Sequence, residues 1–172
     1  MTISTDPVTQ PAAAPTAADI LRSTLRRHAA GVTVITVPGP AGFTATSFTS
    51  VSLRPPLVAF YLDLGASTAG PVHRADRFAV HLLGTGDTAL ARQFARSGVD
   101  RFEGVRWTRN ADGLPLPEDV PAWLTARITL RQHIGDHLLV VGEVESGAVA
   151  EDAPALVHHD GAFAAARRLP SR

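Results

Sequence analysis

The 172-residue chain has no cysteine and no lysine, a single methionine, a single tyrosine and two tryptophans. Without cysteine, disulfides, thiolate nucleophiles and cysteine metal sites are all excluded. With lysine absent, all 16 basic residues are arginine, and 16 acids balance them. No net positive field is left to hold a phosphate backbone, so no nucleic-acid partner is expected. No apolar run approaches the ~18 residues of a membrane-spanning helix, and no membrane association is expected. The opening MTISTDPVTQPAAAPTAA lacks the basic and apolar regions of a secretory signal, which points to the cytoplasm. What is present suffices for a core. Hydrophobic residues make up 45% of the chain and charged residues 19%, and a chain of this length can bury roughly 70% of its unfolded surface as one domain.

Residues 1–16 are rich in Pro, Ala and Thr without large apolar groups, so they are expected to form a disordered tail ahead of a single domain over 17–172. Thr16 and Asp19 have capping-box spacing, and the stripe Ile20, Leu21, Leu25 and Ala29 predicts a helix ending near Gly31. Short β-branched or aromatic segments follow, bounded by Pro and Gly: VTVITV (32–37), the segment 42–56, LVAFYLDL (57–64) and FAVHLL (78–83). Leu90, Ala91, Phe94 and Ala95 predict a helix over 87–97. A Gly/Pro-rich connection from 98 to 121 precedes two longer strands, 123–133 and 137–149, joined tightly at Gly135 and Asp136. Segments 156–158 and 162–165 offer a last strand. Strands outnumber helices without βαβ alternation, so the expected fold is mostly β, an antiparallel barrel with flanking α-helices.

The segment GFTATSFTSVSLRPP (42–56) carries the densest chemistry. Read as one strand, it places Thr44, Thr46, Ser50 and Ser52 on one face and Ala45, Ser47, Thr49 and Val51 on the other. A row of hydroxyls beside small side chains offers a planar, polar-edged ligand neutral hydrogen bonds; an ordinary edge strand has the same composition. Ser67 and Thr68 offer hydroxyl and N–H groups to a phosphate near a helix start, or merely a cap. Arg101 and Phe102 offer a cation and an apolar wall, or a solvated Arg beside a buried Phe. His137, at the mouth of the 134–137 turn, can donate to a carbonyl or stack on a ring, or can be a half-exposed histidine beside a capping Asp136.

Two other motifs give weaker signals. Gly84-Thr85-Gly86-Asp87-Thr88-Ala89 fits G-x-G-x-x-A, but the βαβ unit and ribose-binding acid that a dinucleotide fingerprint needs are missing; a turn capped by Asp87 or Thr85 is the plainer reading. A hydrolase built from Ser47 or Ser50 with His137 and Asp136 lacks a G-x-S-x-G elbow, and Asp136 as the immediate neighbour of His137 is poorly placed to orient it. Adjacent His158 and His159 face opposite sides of a strand, and no metal-ligand spacing occurs elsewhere, so no catalytic metal is expected.

The order of RRHAAGVTVIT, GFTATSFTSVSLRPPLVAFYL, Ser67-Thr68, DRFAVHLL, LARQFA, DRFEGVRW, GDHLLVVGEV and APALVHHDGAF resembles the flavin reductase-like family, the reductase components of two-component flavin-dependent monooxygenases. The resemblance implies an FMN-binding, Greek-key split β-barrel that forms a homodimer with flavin at the interface. It implies FMN or FAD held by Thr44, Thr46, Ser47, Phe48, Ser50 and Ser52, with the phosphate near Ser67 and Thr68 and Arg101 and Phe102 closing the site. It assigns His137 to the nicotinamide of NADH or NADPH, whose hydride passes to flavin for use by a separate monooxygenase. His81 stands where the family usually has a flavin-side Asn, and Ala126 where it often has Cys. Two rivals stay open: a split-barrel flavoprotein that retains its flavin and reduces an organic substrate, and a non-catalytic flavin- or haem-binding module. Such chemistry needs no acid–base triad, because the cofactor carries the reaction and the protein orients it.

Overall fold

The computed structural model describes residues 14–150 and 153–170. The expected N-terminal tail therefore lies outside the described residues except for positions 14–16. Helix α1 (Ala17–Leu25) starts at the expected capping box, with Asp19 N–H donating to Thr16 Oγ1 at 3.2 Å and Thr16 N–H to Asp19 Oδ2 at 3.1 Å. It stops well short of Gly31. The Arg26 carbonyl accepts from Asp160 N–H at 2.9 Å instead of continuing the helical ladder, and the Arg26 side chain donates to Asp160 Oδ1. Nor does the apolar stripe find a core: Ile20, Leu21 and Leu25 are all more than half exposed.

The remaining elements are mostly strands: β1 (Ala30–Gly31), β2 (Thr33–Val37), β3 (Ala41–Ala45), β4 (Thr49–Leu53), β5 (Pro56–Asp63), β6 (Arg77–Leu82), β7 (Trp107–Arg109), β8 (Pro115–Pro117), β9 (Ala122–Ile134), β10 (His137–Val149), β11 (Leu156–His159) and β12 (Ala162–Ala165). Two further helices, α2 (Ala69–Arg74) and α3 (Thr88–Ala95), flank them. Seven strands form one sheet in the order β3-β2-β6-β9-β10-β5-β4, every pair antiparallel. A small sheet, β1-β11-β12, and the β7-β8 ladder complete the set.

Segment 42–56 is not one strand. It breaks at residues 46–48, and its halves β3 and β4 occupy opposite edges of the large sheet. Laid flat, seven strands would span about 29 Å from edge to edge, whereas the link from Ala45 to Thr49 reaches only about 14 Å when fully extended. The sheet must therefore curl until its edges face each other, giving an open barrel split between β3 and β4. Ser47, within the link, fastens it to β5 by donating to Tyr61 O at 3.0 Å and accepting from Tyr61 N–H at 3.1 Å.

Both faces of the central strands are covered, which explains why residues 32–37 are buried throughout, Thr33 and Thr36 included. Ile35, Val37, Phe60, Phe78, Val80, Leu138 and Val140 fill one core, where Phe43, Phe60 and Phe78 stack edge to face at 5.8 and 5.1 Å. Val32, Val34, Leu83, Ala91, Phe94, Phe102 and Leu156 form a second core beneath α3 and the 98–121 connection. That connection is held by Phe94, Phe102 and Trp107 in edge contacts of 5.0 and 5.3 Å, and it contains the β7-β8 ladder. Strands of three residues, one of them Pro-Leu-Pro, have no periodicity to announce them. At residues 84–89 no βαβ unit exists; Thr85–Asp87 form a 3-10 turn in which Asp87 Oδ2 accepts from Gly84 N–H at 2.7 Å, so Asp87 caps backwards and makes no side-chain cap to α3.

His81 on β6 is completely buried on the face of the second core, its Nδ1–H donating to Val34 O at 3.1 Å and its Nε2 without a partner. Burial pushes its pKa down to about 4 from 6.5, against the smaller opposing effect of the Val34 hydrogen bond. The fold holds the neutral ring, so its contribution is intact above pH 6.5 and is lost as pH falls toward 4. By pH 5 the loss should reach about 2 kcal/mol. Urea denaturation of the wild type and of His81→Asn at pH 7 and pH 5 checks this: the wild type should lose more stability than the variant, and equal losses would refute the assignment.

Candidate functional site

At the split of the barrel lies a cleft of about 380 Å³. Its walls come from β3 and the 46–48 link (Thr44, Thr46, Ser47), from β5 (Tyr61), from the approach to α2 (Thr68), from α3 (Phe94) and from Arg101 and His137. A second hollow of about 230 Å³ adjoins it, lined by Gly42, Ser67, Thr68, Arg101 and Phe102. The two share Thr68 and Arg101.

Arg101 is fixed by backbone. Its Nε–H donates to Arg96 O at 2.6 Å and Nη1 to Gly42 O at 2.7 Å, with Nη2 3.5 Å from Ser67 Oγ. Gln93 Nε2 donates to the carbonyls of Arg101 and Glu103 at 3.0 and 2.7 Å, tying this loop to α3. No carboxylate of the described residues lies within 4 Å of the Arg101 guanidinium. Partial burial lowers its pKa, yet a guanidinium stays charged. Of its five N–H groups, two remain for a ligand. Thr68 Oγ1 is buried with no hydrogen-bond partner, and a buried hydroxyl left unpaired costs about 1–3 kcal/mol. An uncompensated cation beside an unpaired hydroxyl is what a phosphate-bearing ligand satisfies.

Gly42 permits this arrangement by its lack of a side chain: a Cβ there would stand 2.8 Å from Phe94 Cε1 and 2.9 Å from Ile35 O. Phe94 can thus press against β3 and form the cleft wall.

His137 begins β10 two residues after Gly135, whose φ of +60° makes the tight turn. Its Nδ1–H donates to Asp136 Oδ1 at 2.6 Å, which leaves Nε2 free, and this bond holds the Asp136 carboxyl below its ordinary pKa. Asp136 therefore does orient the ring, against the sequence expectation, because the turn brings neighbouring side chains to the same side. The hydrolase reading gains nothing from this. Ser47 already uses its hydroxyl both to donate to and to accept from the Tyr61 backbone.

Of the expected ligand residues, Thr44, Thr46, Ser47, Thr68, Arg101 and His137 converge on the cleft, and Ser67 and Phe102 on its neighbour. The hydroxyl row does not exist as one face. Thr44 Oγ1 donates to Ala91 O at 2.6 Å, fastening α3 to β3; Ser50 and Ser52 lie on β4 across a bulge, Ser52 accepting from Arg54 N–H at 3.2 Å; neither lines the cleft. Phe48 packs against the first core, and His81 lies within the sheet, away from the cleft. Sequence reasoning missed Tyr61, Phe94 and the Gly42 carbonyl. The first two carried only strand and helix signals, and a carbonyl carries none.

Comparison with known proteins gives a consistent picture. The flavin reductase like domain family matches residues 25–167. The chain is 41% identical over 150 residues to an NADH:FMN oxidoreductase of Rhodococcus qingshengii, covering 83% of this chain and 78% of that protein. Among solved structures, the NADH:FAD oxidoreductase SgcE6 of Streptomyces globisporus C-1027, in complex with NAD and FAD fragments, superposes with a TM-score of 0.80 at 36% identity over 87% of this chain and 91% of that one. BorF, the flavin reductase component of a bacterial two-component tryptophan halogenase, gives a TM-score of 0.80 at 33% identity over 90% and 99%. From this match and from the cleft built on segment 42–47, the chain belongs to the flavin reductase-like family.

Proposed function

We propose that the chain is an NAD(P)H:flavin oxidoreductase that reduces FMN or FAD and supplies the reduced flavin to a separate flavin-dependent monooxygenase. One observation carries the reading: a half-exposed histidine, a buried unpartnered threonine hydroxyl and an uncompensated arginine meet in one cleft. When bound, flavin accepts a hydride from the nicotinamide and a proton from solvent, leaving NAD(P)+ and reduced flavin. The protein supplies placement. Thr46 and Ser47 border the ring, Arg101, Ser67 and Thr68 take the phosphate, and Phe102 closes that end. His137, oriented by Asp136, presents Nε2 to the nicotinamide amide.

Apart from Asp63, opposite His137, the described residues on the ring side of the cleft are uncharged, which suits a flavin that must leave after reduction. The retaining flavoprotein and the non-catalytic module are separated from this reading by one assay: NADH and NADPH oxidation with FMN, FAD, riboflavin or no added flavin. Turnover that depends on added flavin is expected. A persistent yellow colour after desalting without turnover of added flavin supports the retaining enzyme, and no oxidation with any flavin supports the module.

The active form is a homodimer in the cytoplasm, where its nicotinamide donor is held. Supporting the dimer, apolar side chains are exposed on three elements, Val51 and Leu53 on the edge strand β4, Leu130 and Ile134 on β9 and the stripe of α1, together with Tyr61 on β5, and Tyr61 also borders the cleft. Sedimentation equilibrium should give twice the chain mass. No helix of the described residues is long and apolar enough to cross a membrane.

His137→Ala is expected to raise the KM for NADH by about 10-fold, the scale of one hydrogen bond in a partly exposed site. Flavin affinity measured by fluorescence quenching should stay within about twofold. Unchanged nicotinamide KM and kcat would remove His137 from that role.

A further inference from the structure

Three hollows run in series along the barrel. Beyond the two already described, a third of about 550 Å³ shares Pro40 and Ala41 with the phosphate-side hollow. We propose that this third cavity receives the adenylate half of FAD, with Arg74 meeting its phosphate, so that the chain selects FAD over FMN. The assignment rests on the reading of the first cleft as the flavin site.

The order of the hollows makes the argument. Flavin mononucleotide ends in its phosphate, so the added adenylate of the dinucleotide must leave from that end. There the groove continues past Pro40 into a cavity of the size usual for small-molecule sites. Pro40 and Pro71 contribute apolar ring surface to its wall, against which a base can lie. Arg74, at the end of α2, lines it and has no carboxylate of the described residues within 4 Å. Its Nη1 lies 3.3 Å from the place where a Cβ on Gly70 would stand, so glycine there leaves the guanidinium room. Arg77, the cavity's other cation, is committed to Glu145, Nε to Oε2 at 2.8 Å. Asp112, its Oδ1 3.9 Å from Arg77 Nε, and Asp76 also border the space, and their carboxylates can accept from ribose hydroxyls. The cavity thus pairs apolar proline surface, one uncommitted cation and two carboxylate acceptors. Adenosine monophosphate presents the matching base, phosphate and sugar.

Isothermal titration calorimetry of the dimer with FAD, FMN and 5′-AMP, for the wild type, Arg74→Ala and Arg74→Lys, tests the assignment without catalysis. The wild type should bind FAD more tightly than FMN. Arg74→Ala should weaken FAD about 10-fold, the loss of one charge-assisted phosphate contact, leave FMN unchanged, and be partly restored by lysine. 5′-AMP should compete with FAD and not with FMN. Equal affinities for the two flavins, parallel losses of both, or no loss of either would overturn the proposal. So would competition of 5′-AMP with NADH alone, which would give the cavity to the nicotinamide dinucleotide. The flavin-site reading fails separately, if neither flavin binds.

Discussion

Arg101→Ala should raise the flavin KM by about 10- to 100-fold, the range for losing charge-assisted hydrogen bonds in a partly desolvated site. The guanidinium spans both hollows and has no carboxylate of the described residues to neutralise it, so its charge is available to a ligand. It also holds structure, because its bonds to Arg96 O and Gly42 O brace the wall against β3. Arg101→Lys separates the two roles: it keeps the charge but loses the planar fork, and should recover only part of the affinity. Circular dichroism confirms that each variant is folded, and flavin fluorescence titration gives the affinity independently of turnover. A flavin KM within twofold of the wild type in Arg101→Ala would remove this residue from the site.

Gly142→Ala should cost about 3 kcal/mol of stability, lowering Tm by roughly 6–12 °C in a domain of this size. Gly142 sits at a bulge in β10, against the most crowded part of the first core. A Cβ there would lie 2.5 Å from Phe78 Cε1, 2.8 Å from Phe78 Cζ and 3.0 Å from the Ala126 Cβ. Phe78 cannot swing aside, being fully buried and stacked edge-on against Phe60. The gain from stiffening the unfolded chain, about 0.4–1 kcal/mol, is too small to compensate. Adding Phe78→Leu should make the double variant less destabilised than the sum of the two single ones, since the same ring causes the conflict. A melting temperature unchanged to within about 2 °C in Gly142→Ala would contradict the packing described here.

The large strands and the α3 helix were legible because their apolar periods matched their burial, as in the all-buried β2 and the long β9-β10 hairpin. Ala126, which stands where the family often has Cys, is fully buried against the Gly142 strand. Legibility ended where partners decide geometry. Nothing in GFTATSFTSVSL states that its two halves pair with different strands, so parity counted across the break gave a false face for Ser50 and Ser52. Nothing in FAVHLL distinguishes a histidine on the cleft from one buried beside Val34. The helix stripe at Ile20, Leu21 and Leu25 predicted burial that one chain alone does not provide.

The three-residue link between β3 and β4 gives the architecture a seam, and the seam forms part of the ligand's wall. A chain whose main sheet has formed but whose edges have not met possesses neither Thr46 nor Ser47 in position. Binding competence and circumferential completion are one event, so ligand present during refolding would act by mass action on that last step. Saturating flavin should therefore protect the amides of residues 46–48 and Tyr61 from hydrogen exchange more than those of β9, which pairs independently of the join.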